Sequence, residues 1–106
     1  MRFLIEADLA SRPSWWLVDD GDRALAWAGT TYVNMAYADQ AAHDFRVNSA
    51  DPDYRVHVKA GSRWWWTAWG AEGVRVAVSS ETYPTQQAAR DAARTVQQEA
   101  STALGP

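Results

Sequence analysis

The sequence predicts an α+β fold of two tandem βββα units, each an antiparallel three-stranded sheet with one helix, related by a pseudo-two-fold. Three observations carry this expectation. The chain matches itself without gaps at an offset of 51 residues. Each half holds three short apolar or aromatic runs separated by turn residues. Each half then ends in an alanine-containing stretch with helical spacing.

The offset superposes Ser11-Arg12 on Ser62-Arg63, Trp15 on Trp66, Ala26 on Ala77, Thr31-Tyr32 on Thr82-Tyr83, and Ala41-Ala42 on Ala92-Ala93. Similar residues fill in around them, among them Phe3 with Tyr54, Leu25 with Val76 and Phe45 with Val96. The units are residues 1–51 and 52–106, and at 106 residues they form together one small domain.

The first strand of each unit alternates: Phe3, Ile5, Ala7 in one and Tyr54, Val56, Val58 in the other. The second strand carries the tryptophans, at 15–18 and 64–69. Turn residues follow, Asp19-Asp20-Gly21-Asp22 and Gly70-Ala71-Glu72-Gly73. Third strands are expected at Ala24–Ala28 and Val74–Ser79. The first helix opens at Asn34, a good N-cap, and places Ala38, Ala41, Ala42 and Phe45 on one stripe. Residues Asn48–Pro52 read as the linker. The second helix follows Pro84 and the cap Thr85, with Ala89, Ala92, Val96, Ala100 and Ala103 at helical spacing and Gly105-Pro106 as its stop.

An aromatic strand, a glycine turn, an apolar strand and then Ser80-Glu81-Thr82-Tyr83 ahead of Ala89 and Val96 form a pattern that resembles the YegP-like family. These are small bacterial proteins with single or tandem βββα units. The first unit departs from the pattern, because Gly29-Thr30-Thr31-Tyr32 lacks the serine; the second lacks the usual Asn-Gly turn. The resemblance implies the fold and a tendency of units to pair. It brings no established activity.

Strand alternation divides the aromatics between two faces. A symmetric hairpin across Gly70–Gly73 puts Trp65, Trp69, Val74, Val76 and Val78 on one face, and the first unit matches with Trp16, Val18, Leu25 and Trp27. This continuous apolar face is the expected bed for the helices. Trp15, Trp64 and Trp66 are then expected to point away from them, beside Ala24, Ala26, Ala28, Arg75, Ala77 and Ser79. Either the other unit or a second chain covers those outward indoles, or they form a patch for a partner.

Composition narrows the function classes. The absence of cysteine excludes disulfides, thiol nucleophiles and cysteine-based metal sites. His43 and His57 have no patterned carboxylates around them, so no metal or other cofactor is expected. No triad context and no phosphate loop is present. Asp19, Asp20 and Asp22 lack the terminal glutamate of a calcium loop. The N-terminus does not read as a signal peptide and no apolar run approaches a membrane span, so a cytoplasmic location is expected.

The net charge is −3, and neither half is a basic patch, which disfavours duplex DNA. Nine arginines against one lysine, with 20 alanines, suit a GC-rich bacterial or phage genome. The expectation is a non-enzymatic interaction or assembly module, a homodimer or a binder of a partner protein, such as a regulatory or inhibitor protein. Its candidate interface is Trp15, Trp64, Trp66, Arg12, Arg63 and Arg75, residue types that interface centres favour. The alternative is single-stranded nucleic-acid binding, with bases stacked on tryptophans and arginines of the second repeat on phosphates.

Overall fold

Backbone pairing draws six strands into one antiparallel sheet. The computed structural model describes residues 1–106. Its strands are β1 (Arg2–Ala7), β2 (Pro13–Val18), β3 (Ala24–Trp27), β4 (Asp53–Lys59), β5 (Arg63–Trp69) and β6 (Arg75–Ser79). Helix α1 (Met35–Asn48) follows β3, and α2 (Gln86–Glu99) follows β6. The spatial order is β1-β2-β3-β6-β5-β4, so the two halves join edge to edge through Ala26↔Ser79 and Trp27↔Val78. They do not stack face to face as a second core.

Both helices lie on one face of this sheet, and one buried cluster runs beneath them. It joins Phe3, Trp15, Leu17 and Phe45 of the first half to Trp66, Ala68, Ala77 and Val96 of the second. Trp15 stacks on Phe45 with ring centroids 5.0 Å apart, and Phe3 meets it edge-on at 5.5 Å. Trp66 packs against Tyr54 at 5.6 Å.

The expected assignment of faces is therefore reversed. Trp15 and Trp66 are 0% exposed against the helices, whereas Trp16, Trp27, Trp65 and Trp69 lie on the helix-free face, half-buried. Volume decides this. The buried helical positions are mostly Ala38, Ala42, Ala89 and Ala93, so the helices supply little bulk and the sheet must supply it. Two indoles surrounded by Ala26, Ala68 and Ala77 fill that layer while letting the helices come close.

Register contributes as well. Pairing is Trp16↔Trp27 and Thr67↔Val78, two residues beyond the symmetric hairpin, with shifts at Leu17/Val18 and Ala68/Trp69. Such bulges turn single residues across the sheet. They bring Leu25 and Val76 to pack against the core beneath the helices, away from Trp27 and Val78.

The caps are those the sequence indicates. Asn34 accepts from the Tyr37 amide and Thr85 from the Ala88 amide. Helix α2 ends earlier than its alanine spacing suggests: residues Ala100–Thr102 tighten into a 3₁₀ turn. Leu104 then bridges Arg2 in parallel, with the Phe3 amide donating to the Leu104 carbonyl at 2.8 Å. This bridge shields part of the β1 edge.

The Tyr54 hydroxyl donates to the Ser49 carbonyl at 2.6 Å, tying β4 to the end of α1. Burial pushes the Tyr54 phenol well above the ordinary tyrosine range, and those of Tyr32 and Tyr83 above it too. A raised folded-state value favours folding of the neutral form. That stability is full below the unfolded value of about 10 and falls as pH rises from there toward the folded value. The denaturation midpoint is expected to decline above about pH 10. Tyr54→Phe is expected to cost about 1 kcal/mol at neutral pH and to make the alkaline decline shallower. An unchanged alkaline slope in that variant would assign the decline to other groups.

Candidate functional site

The helix-free face is where this sheet meets solvent. Paired residues share a face, so the pairings Leu4↔Trp16, Trp16↔Trp27, Trp27↔Val78, Val78↔Thr67 and Thr67↔Arg55 trace one row across all six strands. Trp16 and Trp27 stack with centroids 6.3 Å apart and planes 13° from parallel. Val18 and Val78 are buried on this same face.

On the β4–β5 side the row becomes polar beneath an aromatic cover. Thr67 is fully buried; its hydroxyl oxygen accepts from Trp69 Nε1 at 2.7 Å and lies 2.7 Å from His57 Nε2. The His57 ring tilts against Trp65 at 4.8 Å. Arg55 places its guanidinium 5.0 Å from the Trp69 ring while its Nε donates to Asp53 at 2.8 Å. Alternation along β4 puts Arg55, His57 and Lys59 on this one face. The result is four half-buried indoles with three basic side chains along one border.

The residues singled out from sequence do not assemble into one patch. Trp15 and Trp66 are core and touch no solvent. Trp64 lies on the helix side at the sheet end, where its backbone exchanges hydrogen bonds with Tyr83 at 2.8 and 2.7 Å. Arg12 is exposed in the β1–β2 turn and pairs with Asp8 at 3.3 Å. Arg63 donates to the Thr82 hydroxyl and carbonyl at 3.0 and 2.9 Å, and Arg75 to the Gly29 carbonyl at 3.0 Å. Each arginine is engaged by a different loop: Arg12 by its own turn, Arg63 by the segment between β6 and α2, and Arg75 by the segment after β3. Trp16, Trp27, Trp65 and Trp69 take the place of the expected outward set, and the alanine content of the helices is the sequence signal that distinguishes the two.

No group of three or more histidine, aspartate and glutamate side chains is placed to hold a metal ion. No helix is long and apolar enough to cross a membrane.

The architecture is shared with two solved structures. A UPF0339 protein from Shewanella oneidensis, solved in solution by NMR, matches with a TM-score of 0.76 at 13% identity, over 94% of this chain and 84% of that one. The E. coli protein YegP, of unknown function, matches with a TM-score of 0.78 at 13% identity, over 96% and 87%. No family model matches the sequence, and no curated protein is similar to it. At this level of identity the likeness is one of fold: the chain has the α+β fold of YegP, one six-stranded antiparallel sheet with two helices.

Proposed function

We propose that this protein is a non-enzymatic assembly module that self-associates through its helix-free sheet face, built from two βββα repeats at 1–51 and 52–106. The repeat reading is supported by features recurring at the 51-residue offset: Ser11 and Ser62 both take positive φ, and the bulges at Leu17/Val18 and Ala68/Trp69 coincide. The single observation that supports the assembly reading is the row of flat indoles, Trp16, Trp27, Trp65 and Trp69, on a sheet face that no helix covers. Large rigid aromatics bury much area at low entropic cost, which is why interface centres favour them. Two such faces can stack about 10 Å apart, as sheets do in sandwiches. A role as a bacterial or phage regulatory or inhibitor protein suits such a module.

Sedimentation and light scattering over a concentration series test the proposal. Wild type is expected to dimerise, and Trp16→Ser with Trp27→Ser to weaken the dimer at least about ten-fold, since two central aromatics are lost. Wild type that stays monomeric at millimolar concentration would sink it.

A second reading, single-stranded nucleic-acid binding, is favoured by Arg55, His57 and Lys59 bordering Trp65 and Trp69. It requires oligonucleotide affinity that falls steeply with salt and is lost on Trp65→Ser. The overall charge of −3 speaks against it.

A further inference from the structure

A cleft of about 770 Å³ opens between α1 and the β5–β6 hairpin, with Trp69, at the end of the tryptophan row, part of its lining. Trp15, Tyr32, Phe45 and Val76 form its apolar lining, and Asp44, Asp51 and Asp53 stand at its rim. The Trp15 indole N–H is fully buried and has no hydrogen-bond partner. Burial pushes the Tyr32 phenol above its ordinary range, and the Trp15 indole moderates the rise. The one basic residue in the lining, Arg75, is held by the Gly29 carbonyl. The Asp51 side chain has no ion-pair partner; Asp44 accepts from Gln40, and Asp53 pairs with Arg55.

The molecule contains a twin of this cleft, between α2 and the β2–β3 hairpin, with a volume of about 440 Å³. Its lining residues Tyr83, Ala92 and Leu25 stand 51 positions from Tyr32, Ala41 and Val76 of the first. The position matching Val74 is Arg23, and there the difference lies. Arg23 donates to Glu81 at 2.9 Å, and both charges act on the Tyr83 phenol. Tyr32 has no such charged neighbour. Thus two arginines, Arg23 and Arg63, line the twin, while the larger cleft has an exposed valine at the position of Arg23 and carboxylates at its rim.

We infer that the larger cleft binds an arginine side chain presented by a peptide segment of a partner protein. The guanidinium sits among Asp44, Asp51 and Asp53, an apolar neighbouring residue rests on Phe45 and Val76, and a peptide carbonyl accepts from the Trp15 N–H. An acidic rim attracts a cation, an unpartnered buried donor calls for an acceptor, and a peptide carries both. The inference does not rest on self-association through the opposite sheet face, and Trp69 is the one residue the two surfaces share.

Titration of the ¹⁵N-labelled full chain with acetyl-Leu-Arg-Leu-amide tests it. Saturable shifts are expected at the Trp15 indole N–H and at the Asp51 and Val76 amides. The citrulline analogue, which keeps shape and loses charge, is expected to bind at least about ten-fold more weakly, the change that one lost charged contact produces. Val74→Arg, at an exposed position, is expected to abolish binding by placing a guanidinium beside the rim carboxylates, as Arg23 stands in the lining of the twin. Asp51→Asn is expected to weaken it several-fold. Absence of saturable shifts at millimolar peptide, equal binding of the citrulline analogue, or undiminished binding by Val74→Arg would each overturn the inference. Shifts confined to the Trp16 and Trp27 indoles would also overturn it, and would place the peptide on the sheet face.

Discussion

Trp66→Ala is expected to lower the unfolding free energy by about 3–5 kcal/mol, the range for truncating a large buried aromatic. Trp66 is completely buried in the cluster that joins both helices to the sheet. Apart from Tyr54, the cluster around it is rich in small residues: Ala68, Ala77 and Ala93 have no side-chain reach to collapse into the space an indole leaves. The loss therefore combines lost burial with a cavity that stays open. Domains of this size are stable by about 5–15 kcal/mol, so the variant is expected to lie near the edge of folding. Trp15→Ala is expected to behave alike, because it removes the ring that Phe3 and Phe45 pack around. Trp16→Ala, half-buried on the helix-free face, is expected to cost about half as much or less, in proportion to the smaller area taken from water. Denaturant unfolding followed by far-ultraviolet circular dichroism measures all three without relying on the removed fluorophores. An ordering with Trp16→Ala costlier than Trp66→Ala would mean that the faces are assigned wrongly.

That ordering is the opposite of what alternation with apolar continuity alone suggests. Period-two alternation correctly separates Trp15 and Trp66 from Trp16, Trp27 and Trp65, because the sign of a side chain's direction is local to its strand. Which face the helices take is not local. It depends on matching volumes between layers, and Ala38, Ala42, Ala89 and Ala93 show in the sequence that the helices bring little beyond Phe45 and Val96. The bulges are less accessible still. A two-residue slip keeps the faces but changes the partners, and the added bulge carries Leu25 and Val76 across to the helix side. No turn residue in Asp19–Asp22 or Gly70–Gly73 announces it. The edge-to-edge join of β3 with β6 rests on two paired positions and has no sequence pattern of its own.

The helix starts were legible at Asn34 and Thr85 because capping is local chemistry. The end of α2 was not. Ala100 and Ala103 fit helical spacing, but the chain leaves the helix so that Leu104 can pair with Arg2, a contact across nearly the whole sequence. For the site, the abundance of indoles was legible and their orientation was not. Arg55 and His57 gain their place only when β4 is set beside Trp65 and Trp69.

Gly29→Ala is expected to cost about 2–4 kcal/mol, from backbone strain and a collision acting together. Gly29 follows β3 with φ of +78°, a region where a side chain is strained. A Cβ there would stand 2.6 Å from Val78 Cγ2 and 3.2 Å from Arg75 Nη2. Val78 is buried and belongs to the short β3–β6 join, so it has little room to yield. Displacing it disturbs the seam between the halves, and displacing the backbone loosens the Arg75 bond to the Gly29 carbonyl. Gly61→Ala separates the two causes. Gly61 has a similar φ of +82° but nothing within 4 Å of the added carbon, so only the backbone part, about 1–2 kcal/mol, is expected there. Relief of part of the Gly29→Ala loss by Val78→Ala, seen as coupling in a double-mutant cycle, would assign the remainder to the collision. Equal losses at the two glycines would show that the seam tolerates the extra carbon, and that the halves meet less tightly than the Val78 contact implies.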